Sequence, residues 1–137
     1  MMSETKLYRG SCLCGQISFS AGDFSLKAAN CHCTMCRKFH GAAFGTLVAV
    51  GKINWLSGES LLKTYKANNK TERLFCRECG SSLAFISASS QNKETEIAIA
   101  CFDEDIPVQV DANIHVKSKA NWHHVHESIP SFLGDRT

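Results

Sequence analysis

Apolar residues recur at every second position over short stretches of this chain, the period of a half-buried strand. Leu7-Tyr8-Arg9-Gly10-Ser11 and Gln16-Ile17-Ser18-Phe19-Ser20 flank a Cys-Leu-Cys-Gly turn and read as a hairpin, with Ile17 and Phe19 on one face. The apolar run 44–50 closes at Gly51-Lys52, and Ile53-Asn54-Trp55-Leu56 ends at Ser57-Gly58-Glu59. Residues 61–65 read as a strand before an Asn68-Asn69 turn. Arg73-Leu74-Phe75 leads into a cysteine cluster and Leu83-Ala84-Phe85-Ile86 leads out of it. Residues 96–102 alternate, with Ile97, Ile99 and Cys101 on one side, and 112–116 form a last candidate strand. One helix start stands out: Thr34, followed by Met35-Cys36-Arg37-Lys38-Phe39 and stopped near Gly41. The pattern predicts a mainly β domain with short connections and one or two short helical turns. Phe44, Trp55, Phe75 and Phe85 read as core or pocket wall.

At 137 residues the chain fits one domain, 1–137, large enough to bury a core without staples. Hydrophobic residues make up 44% and charged residues 20%, an ordinary globular balance. Fifteen basic against thirteen acidic residues give a net charge of +2, which offers no footprint for nucleic acid and no pull towards an anionic membrane. No apolar run reaches transmembrane length, and Met1-Met2-Ser3-Glu4-Thr5-Lys6 lacks the apolar stretch of a signal peptide. The expected compartment is the reducing cytoplasm, where thiols serve as metal ligands or nucleophiles rather than disulfides.

Seven of the eight cysteines fall in three clusters: Cys12-Leu13-Cys14-Gly15, Cys31-His32-Cys33-Thr34-Met35-Cys36 and Cys76-Arg77-Glu78-Cys79-Gly80. A disulfide framework predicts scattered cysteines; tight clusters predict metal. A Cys-x-x-Cys turn folds two sulfurs onto one ion, and the glycine after Cys79 permits a positive φ as the turn closes. Cys12 and Cys14 lie on the same side of an extended segment. The clusters offer two, three and two thiolates, so two pairs complete one four-sulfur site and three sulfurs remain for a second metal. Four protein ligands make a structural zinc; three plus an open position is how catalytic zinc is held. Spacing leaves two partitions. Cys33, Cys36, Cys76 and Cys79 can form a zinc ribbon, leaving Cys12, Cys14 and Cys31. Grouping Cys12, Cys14, Cys76 and Cys79 instead keeps the compact triple cluster on one ion and is preferred. A single zinc site with spare buried thiols is the plain alternative.

These three motifs resemble the signatures of the glutathione-dependent formaldehyde-activating enzyme family, also called the centromere protein V/Gfa domain. The C-terminal stretches Asn113-Ile114-His115-Val116, Lys119-Ala120-Asn121-Trp122 and Ile129-Pro130-Ser131-Phe132 are similar to its closing pattern, so the resemblance runs over about 9–132. It implies an Mss4-like zinc-binding β-sheet fold and two zinc ions per chain. It also implies the preferred partition, with Cys12, Cys14, Cys76 and Cys79 on a structural zinc and Cys31, Cys33 and Cys36 on a catalytic one. The implied activity is that of a carbon–sulfur lyase joining a small-molecule thiol, glutathione or another, to an aldehyde such as formaldehyde. The His-rich segment Trp122-His123-His124-Val125-His126-Glu127 departs from the family pattern.

A metal with three thiolates favours a soft fourth ligand, and a thiol bound there loses its proton and can attack an aldehyde carbon. Arg37 and Lys38 follow the triple cluster and can meet carboxylates of a thiol substrate, although each also suits a solvated helix face, as do Lys117 and Lys119. His32 lies between two ligands and points away from both in an extended segment, so it reads as structural or exposed. His115 reads as a half-buried strand histidine, His123, His124 and His126 as surface residues, and Cys101 as a small core residue. Two rival functions stand beside the enzyme. One is a non-catalytic interaction module needing structural zinc alone; the other is a zinc-ribbon nucleic-acid binder, which the near-neutral charge opposes.

Overall fold

The computed structural model describes residues 5–88 and 94–136, so residues 1–4 of the N-terminal reading lie outside it. The predicted hairpin is strands β1 (Leu7–Ser11) and β2 (Ser18–Cys31), paired antiparallel from Leu7↔Gly22 to Ser11↔Ser18. Strand β2 continues for 14 residues, well beyond the segment that alternates. Gly22, Asp23 and Ser25 break the pattern there. Pairing with β3 (Gly45–Ser57) overrides it, and a register shift between Phe24 and Ala28 absorbs the irregular residues as a bulge.

Strand β3 is one 13-residue element, where the sequence reading had an interruption at Gly51-Lys52. Gly51 marks a close approach instead of a break: a Cβ there would lie 2.2 Å from Asp23 Oδ2. Strands β4 (Leu62–Lys66), β5 (Glu72–Cys76) and β6 (Ser82–Ile86) form an antiparallel meander, and β7 (Thr95–Ala98) joins β6 to β3. The sheet order is β1-β2-β3-β7-β6-β5-β4, with β8 (Val110–Ile114) parallel to the far end of β2.

Two strand ends differ from expectation. The alternating segment 96–102 is a strand only to Ala98. A 3₁₀ turn, Ile99–Cys101, then swings Phe102 onto Gly10 and Asp103 N–H onto the Arg9 carbonyl at 2.8 Å. Ile99 and Cys101 still pack on the core, which is why alternation persists in the sequence. The last strand ends at Ile114, because His115 takes a left-handed φ of 55° and opens a 3₁₀ turn, Val116–Ser118. A third 3₁₀ turn, Glu59–Leu61, precedes β4.

Ile17, Phe19, Val48, Leu83 and Ile97 are fully buried and bring both halves of the sheet onto one core, with Phe19 edge-on to Trp55 and Phe102. The predicted helix is present as α1 (Thr34–His40). Cys33 caps its N-terminus, Gly41 ends it at φ 62°, and Arg37, Lys38 and His40 face the negative end of its dipole. The fold is mainly β with short helical turns, as expected. No helix among the described residues is long and apolar enough to cross a membrane.

Candidate metal centres

The first cysteine set forms where two hairpin turns meet. The β1–β2 turn carries Cys12 and Cys14, and the β5–β6 turn carries Cys76 and Cys79. Each turn closes on a left-handed glycine: Gly15 N–H reaches the Cys12 carbonyl at 3.0 Å and Gly80 N–H the Cys76 carbonyl at 2.7 Å, both glycines at φ 79°. The Leu13 N–H donates to Ser81 Oγ at 2.8 Å and ties one turn to the other. Backbone N–H groups aim the sulfurs: Ile17 N to Cys12 Sγ at 3.3 Å and Glu78 N to Cys76 Sγ at 3.4 Å.

All four sulfurs lie within 4.8 Å of one another, with Cys12–Cys14 at 3.6 Å and Cys14–Cys76 at 3.9 Å. A tetrahedron with Zn–S of 2.3 Å has edges of about 3.8 Å. The donor set therefore fits one zinc ion. Spacing had left a ribbon partition open; the geometry brings Cys12 and Cys14, not Cys33 and Cys36, to Cys76 and Cys79.

The second set is Cys31, Cys33 and Cys36, whose sulfurs also lie within 4.8 Å of one another. Cys31 ends β2, between Gly45 of β3 and Ile114 of β8. Cys33 caps α1 and accepts the Cys36 N–H at 3.3 Å, so the strand-to-helix turn itself builds the cluster. The close approach of the three thiols lowers the pKa of Cys33 and raises that of Cys31. Zinc takes cysteine as thiolate, so metal uptake at this cluster releases protons. Among the described residues, no other Cys, His, Asp or Glu joins this group.

The sequence reading passed over two charged residues beside this cluster. Arg73, on β5, is 4% exposed and places Nη1 3.8 Å from Cys36 Sγ. It lies over the rings of Phe39 at 5.3 Å and Phe85 at 4.8 Å. The visible signal was an arginine at an inward strand position directly before the third cluster. Glu96, on β7, shares a cavity of about 140 Å³ with Cys31, Lys27 and Arg136. Burial, then the charges of Glu94 and Asp135, pushes its carboxyl up to about 7. Arg73, Lys38, Met35, Phe39, Tyr65 and Phe75 line a larger, mostly apolar cleft of about 540 Å³.

The remaining candidates divide. Arg37 is half-buried and donates Nη1 to the Ser118 carbonyl at 2.9 Å, so it fastens α1 to the C-terminal segment instead of lying on a solvated face. Lys38 is exposed beside the cleft. Lys119 Nζ donates to the His123 carbonyl at 3.0 Å. His32 is fully buried, with Nε2 3.4 Å from Asn113 Oδ1, which fits the structural reading, and burial lowers its pKa. His124 and His126 are exposed as expected; His123 is half-buried against His32 and Phe44, because the aromatic pocket draws it in. Cys101 donates to the Ser82 carbonyl at 3.3 Å as a core thiol. Trp55 packs on the core and Phe44 against His32 and His123, while Phe75 and Phe85 wall the cleft and Arg73.

A mainly antiparallel sheet carrying a four-sulfur and a three-sulfur cluster, each able to bind zinc, defines the class of protein. The chain belongs to the glutathione-dependent formaldehyde-activating enzyme family, whose profile matches residues 7–118. It is similar to an uncharacterized lyase of Schizosaccharomyces pombe, 32% identical over 85 residues that make up 62% of this chain and 61% of that protein. The chain thus spans about three-fifths of that relative's length. A crystal structure of a Rhodobacter sphaeroides protein aligns with a TM-score of 0.59 at 22% identity, covering 72% of this chain and 91% of that one. At that identity the likeness speaks to the fold alone.

Proposed function

We propose that the chain is a zinc-dependent carbon–sulfur lyase that makes or breaks adducts between a small-molecule thiol and an aldehyde. The observation that carries this reading is the inequality of the two sulfur sets, four in one and three in the other. In this reading Cys12, Cys14, Cys76 and Cys79 hold a structural zinc, and Cys31, Cys33 and Cys36 hold a second zinc with one position open to a thiol. Zinc supplies acidity to that thiol and takes up charge on a departing sulfur.

The protein's own groups do the rest. Cys33 and Cys36 are fixed by the first turn of α1 and Cys31 by two neighbouring strands, so the three sulfurs that would hold the ion are held in one arrangement. In the forward reaction the thiol sulfur forms a bond to the carbonyl carbon, and the thiol proton ends on the carbonyl oxygen. The reverse breaks the C–S bond and returns that proton to sulfur. Lys38 would meet a carboxylate of a thiol such as glutathione, and the mostly apolar cleft that it lines with Phe39 and Arg73 would take the organic part of either reactant. Family membership and the lyase named among its relatives support the reaction class.

Metal analysis and exchange of glutathione with formaldehyde, followed by NMR, test this together. Cys33→Ser should lose one of the two zinc ions and the exchange activity. Full metal content with undiminished exchange in that variant would refute the assignment. A parent protein that binds one zinc and no thiol would favour the interaction module.

A further inference from the structure

A guanidinium at 4% exposure has left water almost completely, and such a charge survives burial only with a partner. Among the described residues no carboxylate forms an ion pair with Arg73. Its polar partner is sulfur: Nη1 stands 3.8 Å from Cys36 Sγ. The rings of Phe39 and Phe85 at 5.3 and 4.8 Å hold the guanidinium in place. Its neighbour across the sheet, Phe85, pairs in turn with Glu96, whose half-buried carboxyl feels the Arg73 charge without forming an ion pair with it.

The electrostatics of the three-sulfur site supply the reason for this arrangement. Three thiolates around a divalent ion carry a net charge of −1, and Cys31 and Cys36 are both buried. A buried net charge is costly, and admitting a thiolate as fourth ligand raises it to −2. A fixed cation against one sulfur offsets that charge. An N–H···S contact also draws density from the sulfur, which leaves the metal readier for another anionic donor.

We infer that Arg73 is the positioning residue of the three-sulfur site: through Cys36 it neutralises the thiolate cluster and sets both its hold on metal and its affinity for an anionic fourth ligand. This rests on the reading of Cys31, Cys33 and Cys36 as a metal site open to a thiol. It assigns to that site a dependence on a residue of β5, 37 positions along the chain from Cys36.

The test uses the full chain loaded with cobalt, whose thiolate charge-transfer bands report each site. Two variants are compared with the parent, Arg73→Met and Arg73→Lys. One readout is competition with a chromophoric chelator; the other is titration with glutathione. In Arg73→Met the second metal should be lost to chelator about 10- to 100-fold more readily, the cost of removing a group that orients a ligand, while the four-sulfur site keeps its metal. The glutathione titration should shift to higher concentration by a similar factor. Arg73→Lys keeps the charge without the planar fork. It should weaken metal retention at the second site alone and leave the glutathione titration much closer to that of the parent.

Unchanged metal retention in both variants would overturn the inference. So would a glutathione shift in Arg73→Lys as large as in Arg73→Met, since charge would then not be the agent. If Arg73→Met does not fold, Arg73→Lys alone decides through its second-site retention. A parent that takes up no thiol sinks the proposed reaction, yet the chelator competition still tests Arg73.

Discussion

Glu96 lines a small cavity with Cys31, Lys27 and Arg136, and its partial withdrawal from water there has a measurable consequence. The Glu96 carboxyl is held up to about 7 in the folded chain, above its ordinary value of 4.5, so between these values the folded chain holds a proton that the unfolded chain has released. The contribution of this group therefore favours folding most below about pH 4.5 and is lost as pH rises through 7. Glu96→Gln removes this dependence. Its urea midpoint should gain on the parent's steadily from pH 5 to pH 8, and a difference that stays flat with pH would contradict the assignment.

Among the elements, the two glycine-closed turns and α1 do most to build the sites. Gly80 sits at φ 79° with nothing within 4 Å of an added Cβ, so its requirement is conformational, not steric. Gly80→Ala should cost about 1–2 kcal/mol, the penalty of a left-handed L-residue, and Gly80→Asn should recover part of it. Denaturant midpoints for the two variants check this. Gly10 differs: an added Cβ there meets Phe19 Cζ at 2.2 Å and the Cys101 carbonyl oxygen at 2.5 Å, so close packing decides the position. The helix, the first hairpin and the Cys-x-x-Cys turn of the second were readable, since cap, stop and turn signals are local. The second half of β2 was not, because only pairing with β3 and β8 makes a strand of residues 28–31.

At the scale of the whole molecule, the C-terminal segment closes the open edge of β8. Asn113 N–H reaches the Pro130 carbonyl at 2.9 Å, Phe132 N–H the Asn113 carbonyl at 2.9 Å, His115 N–H the Gly134 carbonyl at 2.8 Å and Val116 N–H the Phe132 carbonyl at 3.1 Å. Arg136 adds an ion pair to Asp111 at 2.7 Å and a bond to the Ala28 carbonyl at 3.0 Å. A chain ending at Ser128 loses all of these. At about 1 kcal/mol for each backbone bond it should unfold at a free energy roughly 4 kcal/mol lower. Because Ile114 borders Cys31 across the sheet, such a chain should also retain the second metal less well, which metal analysis after dialysis would show.

The sequence by itself determined the mainly β character, the one helix, the family and the division of seven cysteines into clusters of two, three and two. These follow from short-range signals: alternation, caps, glycine turns and ligand spacing. Spacing left two partitions of the clusters open and the family resemblance favoured one; tertiary structure decided it, because two hairpin turns 62 residues apart must meet before Cys14 and Cys76 can stand 3.9 Å from each other. It alone decided that Arg73 lies against Cys36 and that Glu96 is withdrawn from water. A side chain's partner across a sheet is set by strand order and register, and no local pattern in the chain encodes that order.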